Sequence, residues 1–72
     1  KSINSVIKDS YFLISVLDDW LVFNKNGKGI SIKSQKPVST PKSCTPIVDL
    51  TSKNKSIAIL SKDHILVMDF DN

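Results

Sequence analysis

The chain has 72 residues, a hydrophobic fraction of 40% and a formal net charge of +3, and a domain of this size is marginally stable alone because it buries little of its surface. The single cysteine, Cys44, and the single histidine, His64, exclude an internal disulfide and a four-ligand zinc site. A lone thiol favours a reducing intracellular compartment, either cytoplasm or nucleus. No apolar run approaches the roughly 20 residues of a membrane span, so we expect no membrane-spanning segment.

The residue inventory favours strands over helices. Arg and Glu are absent, and Ala58 is the only alanine. These three residue types are among the best helix formers, whereas the chain is rich in residues that suit a pleated sheet. The composition therefore predicts an all-β fold. The absence of Arg also disfavours bidentate recognition of phosphate or guanine.

The pattern of apolar residues and turn residues in 1–33 predicts one antiparallel meander. The central hairpin turns at Asp18 and Asp19, and a turn containing Asn and Gly at residues 24–29 follows it. The four predicted strands are 3–7, 11–16, 20–23 and 30–33. Neither face of the hairpin is consistently polar, so we expect both faces to be covered by neighbouring sheets, with Trp20 buried between them.

The rest of the chain divides into a connection and a second meander. Residues 34–46 contain all three prolines and show no periodicity, which predicts an irregular connection. Residues 47–72 contain a predicted strand at 47–51 and a hairpin. The hairpin strands are 56–61 and 65–70, with a turn at 62–64.

The two hairpins repeat each other. A shift of 45 positions places Asp18 on Asp63 and Val22 on Val67. Repeats of about 40–45 residues are typical of propeller blades of the WD type. Because Val22 and Val67 occupy equivalent central positions among apolar neighbours, we expect both to be buried.

The segments at 21–28 and 65–69 resemble the third strand and following turn of a WD40 repeat. Phe23-Asn24 and Met68-Asp69 occupy the Trp-Asp positions of that family, although neither pair is a literal Trp-Asp. The resemblance implies a fragment of a β-propeller. Residues 1–33 would form a first blade, 34–46 an irregular connection and 47–72 a second, partial blade. Because propellers have about 4–8 blades, the other blades would come from the same or another chain, and we expect a segment of a longer protein or one that adds strands to a partner.

Residues that could carry catalysis do not form a suggestive pattern. Asp18 and Asp19 are adjacent carboxylates on a turn, and His64 lies on the equivalent turn. No spacing places a nucleophile beside a base. We therefore expect no enzyme activity, no cofactor and no metal site.

Candidate contact and modification residues concentrate in the middle of the chain. Trp20 is the first candidate for a partner contact if it is exposed, and Lys33, Lys36 and Lys42 add positive charge together with two further lysines, Lys25 and Lys28. Thr40 and Thr45 each precede a proline and are candidate phosphorylation sites.

Two functions follow as expectations. The first is a non-catalytic protein–protein interaction scaffold, part of a WD-like propeller in a larger intracellular protein or complex. The alternative is a small basic β-barrel that binds nucleic acid in the manner of an OB-like module. A nucleic-acid surface would combine the lysines with several stacking aromatics, and the chain has only five aromatic residues of the Phe, Trp and Tyr types.

Overall fold

The computed structural model describes residues 10–71, so the strand predicted at 3–7 lies outside the described residues. The fold is nearly all-β, as the composition predicts, with one 3₁₀ turn (Lys42–Cys44) as the only helical element in the described range. The strands are β1 (Ser10–Val16), β2 (Asp19–Asn24), β3 (Lys28–Ser31), β4 (Pro37–Ser39), β5 (Ile47–Lys53), β6 (Ser56–Ser61) and β7 (Ile65–Asp69).

The strands form two antiparallel sheets, one ordered β1-β2-β3-β4 and the other β5-β6-β7. The turn from β2 to β3 is held by Asn24, whose side-chain oxygen accepts hydrogen bonds from the backbone N–H of Asn26 and of Lys28, each at 3.0 Å. Gly27 follows with a φ of 83°, a conformation that favours glycine. The connection at 34–46 is less irregular than expected, because it contains β4 and the 3₁₀ turn.

The 45-residue repeat extends to strand register. Phe12 lies opposite Phe23 in the first hairpin, and the residues 45 positions later, Ile57 and Met68, lie opposite each other in the second. The next three pairs of facing residues toward each turn are also related by the shift of 45 positions. The two hairpins are therefore equivalent in backbone pairing as well as in sequence.

The sheets pack face to face around one apolar core. The buried members of that core are Ile14, Val16, Leu21, Phe23, Cys44, Ile47, Leu50, Ile57 and Ile59. Both hairpins contribute equivalent positions, since Ile14 and Ile59 are related by the repeat. The same face of each hairpin therefore points into the shared core. Ring-forming repeats instead meet through unlike faces, so this packing differs from the blade packing that the propeller resemblance implies.

Two burial predictions are wrong in this arrangement. Val22 is 7% exposed, as expected, but Val67 is 65% exposed, and Trp20 is 53% exposed. Strand alternation puts Val67 on the face of β7 opposite the core. With two sheets in the described part of the chain, that face has no second layer over it.

Candidate interaction surface

The side of the β5-β6-β7 sheet that faces away from the core carries a row of apolar side chains. Because Ile57 and Ile59 of β6 point into the core, the intervening Ala58 and the following Leu60 point outward. Ala58 lies opposite Val67 and Leu60 lies opposite Ile65 in the strand pairing. We call these four residues the outer apolar face: Ala58, Leu60, Ile65 and Val67.

This face is accessible to a partner. Ile65 is 66% exposed and Leu60 is also exposed, while Ala58 is half-buried. Thr51 lies opposite Ala58 on β5 and borders a shallow depression together with Ala58 and Val67. Exposed apolar side chains that adjoin one another on a sheet face make this surface a candidate binding site.

A second feature is the buried carboxylate of Asp19, which organises the surroundings of Trp20. It accepts hydrogen bonds from the Ser31 hydroxyl, from the backbone N–H of Trp20 at 2.7 Å and from that of Lys33 at 3.0 Å. Burial by itself would raise the pKa of Asp19, but these hydrogen bonds and the positive charge of Lys33 lower it, and the pKa lies below its ordinary value. The hydrogen bonds of Asp19 thereby join the turn between β1 and β2 to the end of β3.

Of the predicted contact residues, Trp20 and Lys33 meet at Asp19, whose carboxylate accepts a hydrogen bond from the backbone N–H of each. The Lys33 ammonium lies 3.2 Å from the carboxylate of Asp18, and both side chains are exposed. Lys36 and Lys42 are exposed but lie on the β3–β4 connection and the 3₁₀ turn. Within residues 10–71, no ion pair joins either of these lysine side chains to an acidic group. The predicted contact set is therefore not one compact patch.

The two candidate phosphorylation sites differ in accessibility. The Thr40 hydroxyl oxygen is buried and has no hydrogen-bond partner among the described residues. A kinase cannot reach it in the folded protein. The Thr45 hydroxyl donates a hydrogen bond to the Lys42 carbonyl oxygen at 2.7 Å, and the residue is half-buried.

The structure also assembles a cluster that sequence spacing does not suggest. The Cys44 sulfur lies 3.8 Å from Nε2 of His64, and Nδ1 of His64 lies 2.8 Å from Oδ1 of Asp63 and 3.1 Å from the Ser61 hydroxyl. The hydrogen bond with His64 lowers the pKa of the Asp63 carboxyl. The contact between Cys44 and His64 joins the 3₁₀ turn to the β6–β7 turn, and only the tertiary fold brings them together.

A thiol beside an imidazole and a carboxylate is the composition of some catalytic triads. Here the Cys44 side chain is 0% exposed and belongs to the core. A substrate carbonyl has no path to its sulfur in this conformation, so the cluster holds two turns together. Among residues 10–71, no group of three or more His, Cys, Asp or Glu side chains is placed to bind a metal ion.

Comparison with known proteins gives no relative on which to base a function: no family model matches the chain, and neither a curated protein nor a solved structure matches it. In the described range, no helix has the length and apolar character needed to cross a membrane.

Proposed function

We propose that this chain is a non-catalytic protein–protein interaction scaffold within a larger intracellular protein or complex, and that the outer apolar face is its contact surface. The observation that supports this proposal is the exposure of Ile65 and Val67 on a strand whose other side packs against the core. Leaving such residues in water is unfavourable by about 25 cal/mol per Å² of apolar area. A partner that covers them gains that free energy on binding.

The proposal includes further units of the 45-residue repeat, arranged as a WD-like propeller. A ring of such units requires each sheet to present one face to the preceding unit and a different face to the following one. The outer apolar face is the surface of the β5-β6-β7 sheet that a following unit would cover. In a ring, the two sheets described here would exchange their present contact, in which equivalent faces share one core, for a contact between unlike faces.

The nucleic-acid alternative has less support. Lys33 is paired with Asp18, and Lys36 and Lys42 lie on separate connections. Among the Phe, Tyr and Trp side chains that the structure describes, Trp20 is the only exposed one, whereas binding of single strands uses successive aromatic platforms.

The test introduces Ile65→Lys together with Val67→Lys in the intact protein in its cellular complex. The matched control, Ser34→Lys with Ser43→Lys, adds the same charge at exposed positions away from the outer apolar face. We expect the first pair to release at least one protein subunit from the purified complex and the control to release none. Circular dichroism checks that both variants remain folded. A complex of unchanged composition in the first variant would contradict the proposal, and tight, salt-sensitive binding of an oligonucleotide would favour the alternative.

A further inference from the structure

Each sheet has two edge strands; β1 of one sheet lies against β5 of the other, and the two remaining edges, β4 and β7, differ. On either side of β4, Thr40 N–H donates to Gly27 O at 2.9 Å, and Lys36 O accepts from Ser31 N–H at 3.0 Å. The even-numbered residues of this segment therefore form the hydrogen bonds to β3. The intervening Pro37 therefore directs its backbone outward, and proline has no N–H to donate. A three-residue strand with an outward proline is a protected edge.

The edge of β7 lacks this protection. At the two ends of β7, His64 O accepts from Ser61 N–H at 3.0 Å, and Phe70 N–H donates to Lys55 O at 2.6 Å. The even-numbered residues of β7 therefore form the hydrogen bonds to β6. By alternation, the N–H and C=O groups of Ile65, Val67 and Asp69 face away from β6. Within residues 10–71, no strand pairs with this side of β7. The edge is five residues long and contains neither proline nor lysine.

The internal repeat shows which kind of strand fits this edge. Trp20 and Val22 of β2 are equivalent to Ile65 and Val67, and in the first sheet that edge is occupied by β3. Val22 lies opposite Ile30 in the pairing, and the Ile32 N–H donates to the Trp20 carbonyl oxygen at 2.9 Å. The same antiparallel register continued by one pair places Lys28 opposite Asn24.

Charge makes β7 a better match for such a strand than β2 is. Asp69 replaces Asn24 at the equivalent position, so a lysine in the added strand would lie opposite a carboxylate instead of an amide. The side chain of Asp69 is exposed; its carboxylate accepts a hydrogen bond from the Ser56 hydroxyl at 2.9 Å, and its ion pair with Lys55 is long, at 3.7 Å. Opposite charges on facing positions stabilise strand pairs.

We propose that the open edge of β7 binds an extended segment of a partner protein by β-augmentation. The bound segment runs antiparallel to β7 and has the pattern Lys-x-Ile-x-Ile or a close equivalent. Its lysine lies opposite Asp69, and its β-branched residues lie opposite Val67 and Ile65. This inference rests on the proposed function, because it specifies the partner of the same sheet. Backbone hydrogen bonds supply affinity in this mode, and alternate side chains supply specificity.

The experiment titrates the 72-residue chain with a synthetic peptide of residues 26–33, NGKGISIK, and follows backbone amide shifts by NMR. We expect saturable shifts centred on Ile65, Val67 and Asp69. A peptide N-methylated at Ile30, whose N–H would face β7, should bind at least about tenfold more weakly, since it loses a backbone hydrogen bond and adds a clash. The matched peptide N-methylated at Gly29, whose N–H would face away, should bind like the parent.

Two protein variants test the same edge from the other side. Val67→Pro removes an outward donor and leaves the bonds to β6 intact, so peptide binding should be lost. Ser39→Pro makes the corresponding change on the β4 edge and should leave peptide binding unchanged. Because the two N-methylated peptides leave the protein unaltered, they decide the outcome even if a proline variant unfolds.

The proposal would be overturned if the amide shifts did not saturate at millimolar peptide, or if the two N-methylated peptides bound equally well. It would also be overturned by a dimer of the chain that Val67→Pro dissociates, because the occupant of the edge would then be a second copy of the chain. The proposed scaffold function fails separately. If the lysine pair at Ile65 and Val67 releases a subunit from the complex while the peptide does not bind, only the edge proposal is wrong.

Discussion

Val22 and Val67 provide a matched test of the fold, because the same substitution at two equivalent repeat positions should have unequal effects. Val22 is 7% exposed and Val67 is 65% exposed. Val22→Ala removes two buried carbons at about 0.8 kcal/mol each, and a cavity contribution brings the loss to about 2–3 kcal/mol. Since only about a third of Val67 is buried, Val67→Ala should cost about 0.5 kcal/mol by the same transfer scale.

Thermal and urea unfolding of the 72-residue chain measure this difference. For a domain of this size, each kcal/mol changes Tm by about 4–8 °C, so Val22→Ala should lower Tm by about 8–24 °C and Val67→Ala by about 2–4 °C. The slope of the free energy of unfolding against urea concentration should be the same in both variants. Equal destabilisation by the two substitutions would refute the placement of Val67 on an uncovered face, and would favour a structure in which both hairpins are covered on both sides.

Three further predictions concern the other features. Because the pKa of Asp19 is lowered on folding, its contribution to stability is present above the unfolded pKa of about 3.9 and is lost as the pH falls through the lower folded value. Asp19→Asn should therefore reduce the loss of stability at low pH, measured by thermal unfolding between pH 7 and 2. An unchanged pH dependence of stability would contradict the Asp19 hydrogen bonds. Gly27→Ala should cost about 1–3 kcal/mol, because Gly27 has a positive φ and a Cβ there would overlap the Thr40 hydroxyl; adding Thr40→Ala should restore part of that loss in urea unfolding. Cys44 should react with iodoacetamide at least about a hundredfold more slowly in the native protein than in urea, since its thiol is exposed only by opening of the core; comparable rates would place the thiol at the surface.

Strand positions could be predicted from the sequence because alternation is a local property. The predicted strand at 56–61 coincides with β6, and the turn at 62–64 separates it from β7 as expected. β4 was not predicted, because it has three residues and begins with Pro37, which signals a turn more strongly than a strand.

The covered side of each strand could not be predicted in the same way. Alternation shows that Ile65 and Val67 share a face, but the number of layers stacked on that face depends on the whole assembly. Similarly, the contact between Cys44 and His64 joins an irregular connection to a turn. Neither residue has a neighbour in sequence that indicates the other, so only the packing of the two sheets creates the cluster.

The proline at the rim of the four-stranded sheet limits polymerisation. A fibril that grows by adding strands needs two receptive edges on every molecule, one for the preceding copy and one for the next. In the part of the chain that the structure describes, the edge strands β1 and β5 lie against each other, Pro37 protects the edge of β4, and β7 leaves its edge open. Two copies joined edge to edge through β7 have no further β7 edge to offer. Pro37 therefore removes β4 as a second site of sheet growth, while β7 stays available to a partner.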